Sequence, residues 1–254
     1  MLKTTLALFF LAVLFLPQVQ HSHTFAPEND LWMEDYFEKS TAGQEMFNKV
    51  IDAAYVVYNP IAKEFGDSSL TINRKWEDST VNANATRFFG KVTINMYGGL
   101  FRRAETTVEG FALVLCHELS HAYGGLPYVS KWQKLSAEGQ ADYAGAKECL
   151  HKVLAELKLV DFEEQPTAFM EDSCEKTFND AERQKLCIRS LVAGQSLGAL
   201  LATLKGEAIP DYTTPDQTVV DQTSLTYPDT VQCRQDTYFN GTLQLDRPAC
   251  WFKD

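Results

Sequence analysis

Glu105-Thr106-Thr107-Val108-Glu109-Gly110-Phe111-Ala112-Leu113-Val114-Leu115-Cys116-His117-Glu118-Leu119-Ser120-His121-Ala122-Tyr123 reads as a nearly continuous apolar helix. Thr106 to Glu109 supply a capping box at its start, and Gly124-Gly125 ends it. Residues four apart on a helix share a face, so His117 and His121 project together and can grip one metal ion. Zinc is the ion such a pair suits. It lowers the pKa of a bound water towards about 7, and Glu118, beside the histidines, can take the proton as that water attacks a carbonyl. Cys116 points about 100° away from His117 around the helix and belongs to packing or a disulfide.

A catalytic zinc site needs a third protein ligand. The chain has five histidines: His21 and His23 near the start, the two in the motif, and His151. A third ligand histidine six residues beyond His121 is excluded, because Pro127 stands there. Downstream, Glu138-Gly139-Gln140-Ala141-Asp142 opens a second helix expected from about Ser136 to Leu157, with its two acids again on one face. Glu138 completes the site in this reading, and Asp142 accepts the free ring N–H of a bound histidine, His117 by preference. The competing assignment makes Asp142 the ligand, which would leave that supporting role empty.

Around this pair of helices the pattern is mixed. Phe47, Val50, Ile51, Ala54, Val57, Tyr58 and Ile61 recur at helical spacing over Gly43 to Phe65, interrupted by Pro60. Strand-like segments follow at Ser69–Asn73, Thr86–Phe89 and Lys91–Met96, with Gly90 and Gly98-Gly99 as turns. One or two helices cover Asn179 to Lys205, and an irregular tail begins at about Ile209. The expected fold is α+β and zincin-like: a zinc helix and a second ligand helix beside a small mixed sheet, with a helical C-terminal part and a disulfide-bound tail.

Lys3 followed by the apolar run Leu6 to Leu16 and Pro17 reads as a secretory signal, here taken as residues 1–23 with cleavage between about 18 and 26. Residues 24–254 then form a single domain, secreted or periplasmic. The run is shorter than the roughly 20 apolar residues a bilayer requires, and no later segment is expected to insert stably in a membrane. Six cysteines in such a chain predict disulfides, which proximity and the helices expected to touch assign as Cys174–Cys187, Cys233–Cys250 and Cys116–Cys149. With 23 Lys plus Arg against 34 Asp plus Glu, the net charge of −11 makes nucleic acid an unsuitable partner.

His-Glu-x-x-His followed by Glu-x-x-Ala-Asp, preceded by Val81-Asn82-Ala83-Asn84-Ala85, Val92-Thr93-Ile94-Asn95 and Gly98-Gly99-Leu100, resembles the gluzincin peptidases of the HtpX and CAAX prenyl endopeptidase family, in a soluble secreted form. The resemblance covers residues 75 to 147. It implies a zinc endopeptidase with one Zn2+ per chain and a peptide or protein substrate, the strand Lys91–Asn95 lying beside the cleft and pairing with that substrate. Familiar members carry transmembrane helices or a lipid anchor, neither of which is expected here. Tyr143, His151 and Arg189 are the candidates for stabilising the oxyanion. Two other functions share the same residues: a zincin scaffold that binds or assembles an exported partner, and a zinc hydrolase of a non-peptide bond. The tail from Ile209 is also a candidate cover for the cleft.

Overall fold

Four short strands hold the N-terminal half together in the computed structural model, which describes residues 22–32, 41–159 and 164–254. Of the expected signal segment only Ser22 and His23 fall among the described residues, in strand β1 (Ser22–Thr24). Helix α1 (Thr41–Glu64) runs through Pro60, and is followed by β2 (Ser69–Lys75), β3 (Ala83–Phe88) and β4 (Lys91–Tyr97). The sheet order is β1-β3-β4-β2, with β2 parallel to β4 and the other pairs antiparallel. Side chains alternate as a half-buried sheet requires: Ala83, Ala85 and Arg87 point inward from β3, and Val92, Ile94 and Met96 from β4. Phe89, expected as the last residue of β3, is instead a turn residue. Phe89 and Gly90 both have positive φ and make a two-residue hairpin loop, which matches the right-handed twist of the strands it joins.

After the short α2 (Gly98–Phe101) comes α3 (Val108–Tyr123), the helix of the two histidines, buried from Val108 to Ala122. Its cap lies one residue later than the sequence pattern suggests. The Thr107 hydroxyl, not that of Thr106, accepts from Gly110 N, and Glu109 pairs instead with Arg189 in the interior. The hairpin of β5 (Tyr128–Ser130) and β6 (Leu135–Ser136) returns the chain to α4 (Glu138–Ala144). From there a π-helical turn (Gly145–Leu150) leads into α5 (His151–Leu157), so the expected second ligand helix is one rod with a widened middle.

Helix α6 (Ala168–Thr177) was not expected, while α7 (Ala181–Lys205) is a single helix. By length and composition α7 could cross a membrane, contrary to the expectation that no later segment could. It is mostly buried against α3 and α6, however, and fills the core of this protein. The tail is less irregular than its composition suggests. A stretch of turns and bends from Ile209 leads into α8 (Val231–Thr242), which lies on α4 and α7. All three disulfides pair as expected: Cys116–Cys149 ties α3 to the π-helical turn, Cys174–Cys187 ties α6 to α7, and Cys233–Cys250 ties α8 to the chain end. The molecule is α+β with a small mixed sheet.

Candidate metal centre

Two helices deliver the three acceptor atoms. His117 and His121 lie one turn apart on α3, and Glu138 is the first residue of α4, carried there by the β5–β6 hairpin. Each imidazole is fixed by its far nitrogen. His117 Nδ1 donates to Asp142 Oδ1 at 2.7 Å, and His121 Nδ1 donates to the Ser136 carbonyl at 2.9 Å. A carboxylate and a carbonyl can only accept, so both rings carry their proton on Nδ1 and direct Nε2 the other way. The two Nε2 atoms stand 3.0 Å apart, with Glu138 Oε2 at 3.3 Å from His117 and 3.6 Å from His121.

Three lone-pair atoms this close repel unless a positive charge lies among them. A tetrahedral ion with bonds of about 2.0–2.1 Å separates its ligand atoms by about 3.3 Å, and the three distances bracket that value. The donor set therefore fits a divalent metal. Without one, a proton must serve. Burial alone would lower His117, but Asp142 and Glu138 outweigh it and hold the imidazole up at about 10. Burial pushes His121 down to about 3 against the opposing pull of Glu138. A metal ion would displace the proton that His117 otherwise retains.

Glu118 is fully buried, and neither of its carboxylate oxygens has a hydrogen-bond partner. Burial pushes this carboxyl up to about 8, with the charge of His117 opposing. A carboxyl that titrates near neutrality is suited to exchanging protons with a reacting group. Asp142 is also fully buried, yet burial is outweighed first by Arg234 and then by His117, which keep its pKa below the usual aspartate value. Arg234 from α8 grips Asp142 through Nε and Nη2, both at 2.8 Å, and its Nη1 donates to the Phe25 carbonyl at 2.9 Å.

Arg234 and His23 are the two site residues the sequence reading missed. Arg234 lies 92 positions beyond Asp142, with no local pattern to connect them. His23 stands at the end of the expected signal segment, yet its ring lies 4.5 Å from that of His121 and its Nδ1 is 3.1 Å from Glu138 Oε1. His23, His121 and Glu138 form a second overlapping group with metal-ligand spacing.

The three oxyanion candidates lie elsewhere. Tyr143 points into the α8 side, donating to the Leu245 carbonyl and accepting from Lys147. His151 lines a cavity with Phe178, Arg183 and Cys187. Arg189 is committed to Glu109 and the Leu159 carbonyl. The strand expected to receive substrate is also excluded, since β4 is paired on both edges, by β3 and β2. The sheet edge beside the histidines is that of β3, where β1 sits. No protein-family model, curated protein or solved structure matches this chain.

Proposed function

We propose that the chain is a zinc-dependent endopeptidase of gluzincin type, with His117, His121 and Glu138 as ligands and Glu118 as general base. The observation that carries this reading is the convergence of three fixed lone-pair atoms at tetrahedral spacing beside a buried carboxylate whose oxygens lack partners. Zinc, when bound, supplies a Lewis acid that acidifies water and polarises a carbonyl. Glu118 takes the proton of the attacking water and returns it to the departing amine. Asp142 keeps the proton of His117 on Nδ1, and Arg234 keeps Asp142 ionised. The resemblance to the HtpX and CAAX prenyl endopeptidase family supplies the peptide bond as the target. Three disulfides suit an oxidising, extracellular setting.

The test is elemental analysis of the purified chain beside Glu138→Ala and Glu118→Gln, with casein cleavage measured on each sample. One zinc in the wild type, its loss in Glu138→Ala, and its retention in Glu118→Gln with a rate about 10²–10⁴ lower support the reading. Zinc bound at one per chain with no cleavage by any sample favours a scaffold that binds an exported partner. A chain without zinc removes the metal site altogether.

A further inference from the structure

His117, Glu118 and His121 are fully buried, whereas a peptidase must admit a polypeptide to such residues. What covers the two histidines is the beginning of the described chain. His23 and Phe25 project from the same side of the strand, as alternation requires, and meet the two histidines in turn. The His23 ring lies on His121, with centroids 4.5 Å apart, and the Phe25 ring meets His117 edge-on at 5.6 Å. β1 itself is three residues long and pairs antiparallel with the outer edge of β3, Ser22 opposite Thr86, His23 opposite Ala85 and Thr24 opposite Asn84. An extended peptide captured by a sheet edge would take this position.

The fastenings of this strand fall into two sets. Phe25 and Ala26 are built into the core: Phe25 N donates to the Ala83 carbonyl, Arg234 holds the Phe25 carbonyl, and the Asn82 amide brackets Ala26 with bonds of 3.1 and 3.0 Å. Ahead of them the side-chain ties are lighter. His23 rests on Glu138 Oε1, and the Tyr227 hydroxyl, from the irregular stretch before α8, donates to the Thr24 carbonyl at 2.5 Å and lies 2.9 Å from the Thr24 hydroxyl.

We propose that Ser22–Thr24 is an internal strap occupying the substrate edge of β3, and that an extended peptide substrate displaces it and pairs antiparallel with β3 in its place. This inference rests on the peptidase reading and on a mature chain that keeps Ser22 and His23, as cleavage at the early end of the expected range of about 18–26 would leave it. The strap peels at Ser22–Thr24 while Phe25 and Ala26 stay anchored. Apparent affinity for a peptide is then reduced by the fraction of molecules whose strap is open.

The experiment uses the full zinc-loaded chain and three substitutions: His23→Ala removes the imidazole, His23→Pro also removes a ladder donor, and Tyr227→Phe releases Thr24. Zinc content, thermal melting, and calorimetric binding of a short extended peptide hydroxamate are measured on each, together with casein cleavage. The expected result is about one zinc per chain throughout, with His23→Pro binding the hydroxamate and cleaving casein about tenfold or more above wild type, a shift of about 1.4 kcal/mol. His23→Ala and Tyr227→Phe should show smaller gains in the same direction, and they carry the test if the proline variant does not fold. Unchanged binding and cleavage in every folded variant that retains zinc overturns the strap while leaving the peptidase reading intact. Loss of zinc from folded His23 variants also overturns it, since His23 would then be part of the metal site. A wild type without zinc overturns the peptidase reading and the strap with it.

Discussion

Arg234 is paired to Asp142 in the interior, and the value of that pairing can be measured by breaking it. Replacement by methionine keeps much of the apolar stem but leaves the Asp142 carboxylate buried beside a single imidazole. Removing one partner of a buried ion pair costs about 3–5 kcal/mol. Loosening the group that holds a ligand typically costs about 10–100-fold in metal affinity. Arg234→Met should therefore lower both the urea midpoint and the zinc affinity by competition with a chelator. An unchanged zinc affinity would mean that Asp142 needs no help in holding His117. At this scale the sequence was most informative where chemistry and spacing coincide. His117, Glu118 and His121 follow from one helical turn, and Glu138 with Asp142 from another. Arg234 and His23 reach the same place from opposite ends of the fold, and nothing in their neighbours' identities marks them.

Among the elements, α4 is the one whose placement decides the site, because its first residue is Glu138. The next residue is Gly139, and a Cβ there would fall 2.4 Å from the buried ring of Trp251. Overpacking of this kind costs about 1–3 kcal/mol. Gly139→Ala should lower the melting temperature and, by displacing the first turn of α4, reduce zinc affinity as well. A melting temperature that falls while zinc affinity holds would show that the turn can shift without carrying Glu138. The element boundaries in the sequence were legible to within a few residues wherever period and turn residues agreed, as in α1, β2 and β4. They slipped where two equivalent residues compete, as Thr106 and Thr107 do for the cap of α3. The helix α8 was hidden because its face is polar and aromatic: buried Arg234, Gln235, Asp236 and Thr237 give it no apolar stripe.

In the whole molecule, burial holds the phenols of Tyr58, Tyr123, Tyr212, Tyr227 and Tyr238 above the ordinary tyrosine value. Each folded-state pKa is raised, so its contribution is fully present below the unfolded value of about 10 and is lost as pH rises beyond it. Urea midpoints should fall as pH rises beyond about 10, and these five phenols, half of the ten in the chain, should add their phenolate absorbance only as the chain unfolds. Full phenolate absorbance from all ten tyrosines near pH 10 in a still-folded protein would contradict this. The α+β class and all three disulfide pairs were legible in the sequence, because cysteine proximity and helix-pair geometry are local. The closure of the site was not, since it depends on a strand and a helix separated by most of the chain. Synthesis runs from the amino end, so the carboxylate that steadies His117 waits for its guanidinium until residue 234 has been added. A growing chain therefore cannot finish this centre before that residue is in place, and a metal ion bound earlier would be held more loosely.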